Sequence, residues 1–236
     1  MATKKLSAGQ LREKDFEEIS RAFITKVYRW MTLALVISGL TALYTASSQT
    51  LISFIFGSKF VFYGLLVAEL ALVFILSAAL HKMSAGLGVF FFILYSVING
   101  LTISSIFIIF EIRSIFIVFF ISAAMFAGMS IYGAKTKQNL MSAGRYLMMA
   151  LIGLVIASLV NILLKSSMLE WIISLISVAV FTGLTAYDTQ KMFKIARNSD
   201  DSEIFQKAAI MGALELYLDF INIFLSLLNL FGKRKS

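Results

Sequence analysis

Seven stretches of the chain run almost free of charge, at about 30–48, 60–80, 87–110, 114–134, 146–164, 169–190 and 208–231, with short polar segments between them. A helix rising 1.5 Å per residue needs about 20 apolar residues to cross the hydrocarbon of a bilayer, so each stretch predicts one membrane-spanning helix. The fold class expected is an all-α membrane protein with seven transmembrane helices. Its parts are an N-terminal tail over 1–25, a transmembrane domain over 26–232 and a basic C-terminal tail over 233–236. The N-terminal tail carries Asp15, Glu17 and Glu18, unlike the basic opening of a cleaved signal peptide, and the first stretch reads as a retained signal anchor. In that tail Phe16, Ile19 and Phe23 recur at helical spacing, which suits either an amphipathic helix over 13–25 lying on the membrane or bundle, or a solvated helix end.

Composition removes the alternatives. Hydrophobic residues make up 59% of the 236 and charged ones 14%, against roughly 45–50% and about 25% in a soluble domain, and the mean hydropathy is +0.88. A water-soluble fold has no means of hiding that much apolar surface. Cysteine is absent and His81 is the single histidine, which excludes disulfides, thiolate chemistry and multi-histidine metal sites. There is no Gly-rich phosphate loop, so neither a cofactor nor an enzymatic activity is expected. The net charge of +8 does not point to nucleic acid, because the basic residues sit in the connections and tails, where they orient a membrane protein. Counted over alternate connections, fifteen Lys and Arg fall on the side of the N-terminus and six on the other, at Lys59, Arg113, Lys165, Lys233, Arg234 and Lys235. That places the N-terminus in the cytoplasm. Seven spans then put the basic C-terminal tail on the opposite side, unless the last helix is re-entrant. Small residues at Ala123, Ala124, Ala127, Gly128 and Ser130 predict a close helix–helix approach. Proline is wholly absent, which disfavours a carrier built on broken helices.

The informative positions are acids within apolar runs: Glu69 in the second, Asp188 near the end of the sixth, and Glu215 and Asp219 in the seventh. Each costs about 2.5–3.5 kcal/mol at the centre of a membrane helix, so each must face the interior or be neutral. Glu215, Asp219, Asn222, Ser226 and Asn229 follow at spacings of 4, 3, 4 and 3, which confines them to a stripe about 80° wide. Leu218, Ile221, Phe224, Leu225 and Leu228 occupy the other face, so the seventh helix is suited to a central place in the bundle with its stripe lining a pocket or pore. On the sixth helix Ser174, Ser177, Thr185 and Asp188 share one side. Asp188 and Asp219 both fall in the cytoplasmic half, and a meeting is geometrically allowed. Two carboxyls in contact share one proton, which makes a pH sensor; deprotonated, they offer hard oxygens to Ca²⁺. Against this stands a plainer reading, with Asp188 capping or snorkelling beside Lys191 and Glu69 simply protonated or hydrogen-bonded. His81 and Lys82 read as interfacial anchors, and Asn99 and Asn161 as interhelical hydrogen-bonding groups.

The run Phe181-Thr182-Gly183-Leu184-Thr185-Ala186-Tyr187-Asp188-Thr189-Gln190-Lys191 resembles the signature of the transmembrane Bax inhibitor motif (Bax inhibitor-1) family, in its bacterial branch. Residues 27–31, 127–133, 151–161 and 213–222 fit the same pattern, so the resemblance extends over 27–231. It implies a seven-helix bundle whose last helix is surrounded by the other six, with Asp188 and Asp219 as the pH-sensing pair and Glu69 on the ion path. It also implies a pH-sensitive Ca²⁺ leak and, for bacterial relatives, modulation of a membrane-bound protease. Some members latch the pair with an arginine eleven residues after the glutamate, where this chain has Leu80, followed by His81 and Lys82.

The reading that joins these observations is a proton-regulated cation channel, with Ca²⁺ the expected ion, in a bacterial cytoplasmic membrane. Asp188 and Asp219 form the gate, and Glu69, Glu215 and Asn222 the ion pathway. A membrane interaction protein that modulates a protease is the alternative. An intramembrane aspartyl protease is disfavoured, because Leu216 and Leu218 stand where such enzymes carry glycines and their proline motif is absent.

Overall fold

A computed structural model describes the backbone of residues 8–196 and 203–235, with side chains from residue 18 onward. Asp15, Phe16 and Glu17 of the tail pattern, and Lys4, Lys5, Arg12, Lys14 and Arg197 of the charge count, lie outside the described side chains. The helices are α1 (Ala8–Ser47), α2 (Gln49–Gly57), α3 (Lys59–Ala79), α4 (Ala85–Ile103), α5 (Ile106–Ile109), α6 (Ile112–Lys135), α7 (Met141–Leu164), α8 (Ser167–Ala196) and α9 (Glu203–Phe231). Among the described residues, seven helical segments are long and apolar enough to cross a membrane. They are α1 from Glu18, α3 with the 3₁₀ turn Leu80–Lys82, α4 with α5, and α6 to α9. The connections are short, which makes sequential spans antiparallel neighbours.

Local chemistry fixes the ends of these elements. Ser48 and Ser84 accept hydrogen bonds from the first turns of α2 and α4, at 3.4 and 3.3 Å, the usual way a serine side chain satisfies an orphan N–H. The Ala85 N–H finds the Glu203 carboxylate at 3.1 Å, so the start of α9 caps the start of α4. Between α4 and α5, Ser104 and Ser105 turn their hydroxyls onto the carbonyls of Leu101 and Thr102, a local competition that bends a helix. Asn161 does not act between helices as its sequence context predicts. Its Oδ1 accepts from the Ser166 N–H at 3.0 Å, beside Lys165 in the left-handed region at φ 52°, and so closes the α7–α8 turn.

The buried face of α1 runs through Ser20, Phe23, Val27, Met31, Ala34, Ser38, Ala42 and Thr45. These positions recur every eleven residues, close to the true helical period, so one straight stripe stays inward from residue 20 to 45. Phe23 packs edge-on against Phe205 of α9 with ring centroids 4.9 Å apart, and residue 25, the expected tail boundary, falls inside this continuous helix.

The last helix is the most buried span. Its neighbours include α1, α4, α6 and α8, and the α8–α9 interface is the largest of all. At 29 residues and about 1.5 Å per residue, α9 is one continuous helix longer than the bilayer core, so it is not re-entrant. Beyond its end the backbone of 233–235 pairs with that of 109–111, through Glu111 N–H to Lys233 C=O at 2.8 Å and Lys235 N–H to Ile109 C=O at 2.9 Å. The tail therefore lies at the end of the bundle opposite the Leu80–Ser84 connection. Its cations are tied down locally: Lys233 Nζ stands 2.7 Å from Glu111, Arg234 3.9 Å from Glu170, and Lys235 Nζ donates to the Phe107 carbonyl at 2.7 Å.

Of the small-residue cluster on α6 only Ala123 and Ser130 lie on the packed side as expected. Ala124, Ala127 and Gly128 face outward, and a Cβ on Gly128 would meet open space. Ser122, Ser130 and Gly133 form the inward face, and a Cβ on Gly133 would run into the backbone of Ala186 on α8. Small size alone does not distinguish the two faces; position relative to the buried Phe126 does.

Candidate functional site

Four consecutive residues near the end of α8 each fix a different partner. The carboxyls of Asp188 and Asp219 lie close enough to act on one another, and Thr185, one turn earlier on α8, stands beside Asp219. The Thr189 hydroxyl lies 3.4 Å from the Tyr28 hydroxyl on α1. Gln190 accepts from Leu140 N–H at 2.9 Å and donates to the Gln138 carbonyl at 2.8 Å, which pins the α6–α7 connection. Lys191 Nζ donates to Glu215 Oε1 at 2.7 Å and stands 3.9 Å from Asp188 Oδ1. At about 100° per residue, four successive side chains point around the whole helix. That is possible only where α8 is enclosed on all sides, so this turn is a junction of the bundle.

Both aspartates are buried, Asp188 to 7% exposure and Asp219 to 3%, so the capping-at-the-surface reading of Asp188 does not describe it. Two carboxylates offer only acceptors, so a hydrogen bond between such a pair forms only when one of the two carries a proton. Asp219 Oδ2 and Glu215 Oε2 are buried and make no hydrogen bond to protein. Further along the same antiparallel pair, Asn229 of α9 donates to Ser174 Oγ at 2.8 Å. The polar stripe of α9 thus lies against the polar side of α8 from Glu215 to Asn229. Asn222, within it, turns its amide back onto the Leu218 carbonyl at 2.8 Å.

Glu69 belongs to a second polar cluster. It lies beside Asn99 and Thr102 of α4, and its Oε1 is buried with no hydrogen-bonding partner in the protein. Asn99 Oδ1 accepts from the Tyr217 hydroxyl at 2.7 Å, and that hydroxyl lies 2.7 Å from Ser38 Oγ on α1. Asn99 is accordingly interhelical, as its context predicts. Tyr217 and Asp219 point about 200° apart on α9, so the structure brings Asp188, Asp219 and Glu215 together and leaves Glu69 on another side of the same helix. Among the described residues no three His, Asp or Glu side chains converge as a metal-holding group.

Sequence reasoning missed Ser38 and Tyr217, and it gave Lys191 no partner across the interface. Tyr217 is completely buried and edge-on to Phe92 and Tyr95, with centroids 6.0 and 5.7 Å away. Removing its hydroxyl leaves the buried Asn99 Oδ1 without this donor. Tyr217→Phe should therefore lower stability by about 1–3 kcal/mol, measured by thermal unfolding in detergent, while Tyr146→Phe on the lipid-facing surface should change nothing. The position of the family's latch is filled by Leu80, buried to 5% beside Gly88, whereas His81 and Lys82 are exposed. The cation at the carboxyls is Lys191, from α8 itself.

Known proteins resemble this chain along nearly its whole length. The family profile described as "Inhibitor of apoptosis-promoting Bax1" matches residues 20–236. The chain is 47% identical over 217 residues to the protein named inner membrane protein YbhL of Escherichia coli, covering 91% of this chain and 93% of that one. It is 42% identical over 226 residues to a protein of Borreliella burgdorferi (95% and 97% covered) and 38% identical over 227 residues to one of Rickettsia prowazekii (95% of each).

Proposed function

We propose, from the premise that this chain belongs to the Bax inhibitor-1 family, that it is a pH-sensitive cation pathway through a bacterial inner membrane, gated where Asp188 meets Asp219. The observation that carries the reading is the burial of two neighbouring carboxyls, Asp188 and Asp219, from adjacent spans, with Lys191 reaching both Asp188 and Glu215 beside them. In this reading the N-terminus is cytoplasmic, by the excess of Lys and Arg on that side. The last helix is the central element, held on the cytoplasmic half by α8 and on another face by the Glu69–Asn99–Tyr217 cluster.

The gate works by electrostatics. While one proton is shared, the pair is a hydrogen bond that holds α8 against α9. When it leaves, two anions stand in contact where water does not screen them, and at effective dielectric constants near 20 their repulsion amounts to about 4 kcal/mol at 4 Å. That is enough to change which packing of two helices is populated. Separation of the helices would uncover the α9 stripe of Glu215, Asp219 and Asn222 to a cation. Glu69, on another side of α9 and with one oxygen lacking a protein partner, is not on that stripe and joins the pathway only as a second site reached past Tyr217. Ca²⁺ is the expected cargo, since carboxylate and amide oxygens are its preferred ligands, and it passes through rather than resides.

The test is flux. In liposomes loaded with a Ca²⁺-sensitive dye, wild-type protein should leak Ca²⁺ faster as the pH rises from mildly acidic to mildly alkaline. Asp188→Asn and Asp219→Asn, each of which keeps a hydrogen bond that needs no shared proton, should give flux that does not vary with pH. Equal pH profiles in wild type and both variants would remove the gate.

A further inference from the structure

A small polar recess lies where the connection between α6 and α7 meets the end of α8, outside the carboxyl cluster. Thr136, Lys137, Gln138 and Asn139 form one side of it, and Gln190 and Lys194 of α8 the other. Gln190 joins the two sides, since its amide is bonded at both ends to the backbone of the connection.

The groups left over in this recess are those that receive an anion. Its side-chain oxygens are engaged within the protein. Asn139 Oδ1 accepts from Met141 N–H at 3.2 Å and from Lys194 Nζ at 3.0 Å. Gln138 Oε1 accepts from the Tyr132 hydroxyl at 3.3 Å, and the Thr136 hydroxyl oxygen from Gln138 N–H at 3.3 Å. What remains are donors: the amide N–H groups of Gln138 and Asn139, the Thr136 O–H, and two ammonium groups with three N–H each. The charges are also uncompensated. Lys191, Lys207, Lys233 and Arg234 each stand beside a carboxylate, whereas Lys137 and Lys194, both exposed, meet none among the described residues. No acidic residue lines the recess among those described.

Depth identifies the source of the anion. The span before the connection ends at Lys135 and the one after it begins at Met141, so the recess lies where hydrocarbon gives way to headgroups. The anion found at that level is the phosphodiester of a lipid. We infer that the recess binds the phosphate of an anionic phospholipid headgroup, held between Lys137 and Lys194. A zwitterionic headgroup brings a cation of its own, which the two lysines repel, so the net-negative lipid is selected. The site stands whether or not the carboxyl pair gates a pathway.

The test is competition between lipids. The full chain in mild detergent is titrated with phosphatidylglycerol and phosphatidylcholine of matched acyl chains, and the adducts are counted by native mass spectrometry. Wild type should retain phosphatidylglycerol in preference. Lys137→Gln and Lys194→Gln should each weaken that binding about fivefold, the usual weight of one basic side chain at an anionic lipid surface, and the pair together should abolish the preference. Lys137→Arg with Lys194→Arg should keep it. Lys59→Gln with Lys82→Gln removes the same charge at exposed positions outside the recess and should also keep it. The single variants stand in should the double one fail to fold. A loss in the Lys59 and Lys82 variant equal to that in the recess variant would overturn the proposal, because general surface charge would then account for the binding. So would a wild type with no preference between the two lipids, or one that retains added inorganic phosphate in place of lipid.

Discussion

Gly133→Ala is expected to lower the stability of the detergent-solubilised protein by about 3 kcal/mol, the upper part of the usual range for overpacking, although it adds a single methyl group. The reason is what that methyl meets. At most crowded glycines the obstacle is the far end of a side chain: Leu147 beside Gly183, the sulfur of Met192 beside Gly212. At Gly133 it is the carbonyl and Cα of Ala186, backbone atoms inside a continuous helix, which cannot move without shifting α8 as a body. Ala186 lies two residues before Asp188, so the same shift should pull Asp188 away from Asp219. The variant should lose pH dependence of flux together with stability. Gly128→Ala, one and a half turns earlier on the same helix, faces open space. It should be neutral or stabilise by up to about 1 kcal/mol through helix propensity. Unfolding temperatures of the two variants measured side by side decide the matter, and a Gly133→Ala protein as stable as wild type would mean that α6 and α8 are not in backbone contact.

Lys191→Met carries the second large effect. Lys191 Nζ sits 2.7 Å from Glu215, whose side chain is 19% exposed while that of Lys191 is 33% exposed. Such a pair lies between an exposed ion pair, worth about 0–1 kcal/mol, and a buried one whose rupture costs about 3–5 kcal/mol. Methionine keeps the length of the side chain and removes the charge, so a loss of about 2 kcal/mol is expected, mostly from leaving the Glu215 carboxylate without its cation. Adding Glu215→Gln should restore most of that loss, and Lys191→Arg should preserve the pair. The double-mutant cycle measures the coupling directly. Additive single effects would show that Lys191 and Glu215 do not act on one another. In flux the single variant should respond to pH differently from wild type, because it leaves two further negative oxygens beside Asp188 with no positive charge to offset them.

Much of the architecture was legible in the hydropathy pattern. All seven predicted runs lie within membrane-length helices to within one residue at their ends, because the length of an apolar run and the thickness of a bilayer are directly related. The acidic pair was legible for a related reason. An acid within such a run has few places to go, and the 4-3-4-3 spacing on the last helix left a single face on which they could all be accommodated.

What the pattern did not give has a common physical cause. In a soluble helix the buried face is the more apolar one, but in a membrane the outward face is equally apolar, so hydropathy does not say which way a helix points. Gly128 and Gly133 look alike in the sequence, yet one faces outward and the other meets a backbone. Ser38 was invisible for the same reason, a hydroxyl on a helix with no obvious inside, and Tyr217 was missed because it lies opposite the polar stripe that marked the inside of its own helix. A signal was nevertheless present. Ser20, Ala34, Ser38, Ala42 and Thr45 are small residues on one eleven-residue repeat of α1, and small residues mark where membrane helices meet. The short helix Gln49–Gly57 escaped because its nine residues cannot span a bilayer and read as a connection. Lys191 was seen as a companion of Asp188 on its own helix; its nearer partner, Glu215, becomes visible only when the register of α8 on α9 is known.

One spectroscopic measurement goes to the centre of the account. Infrared difference spectra of the reconstituted protein, recorded between mildly acidic and mildly alkaline pH, report the carbonyl stretch of any protonated carboxyl group. Wild type should show one such band disappearing over the pH interval in which Ca²⁺ flux rises, and the band should be missing in both Asp188→Asn and Asp219→Asn. A band that persists unchanged in either variant, or one whose titration bears no relation to the flux, would mean that the two aspartates hold no common proton and that the gate lies elsewhere.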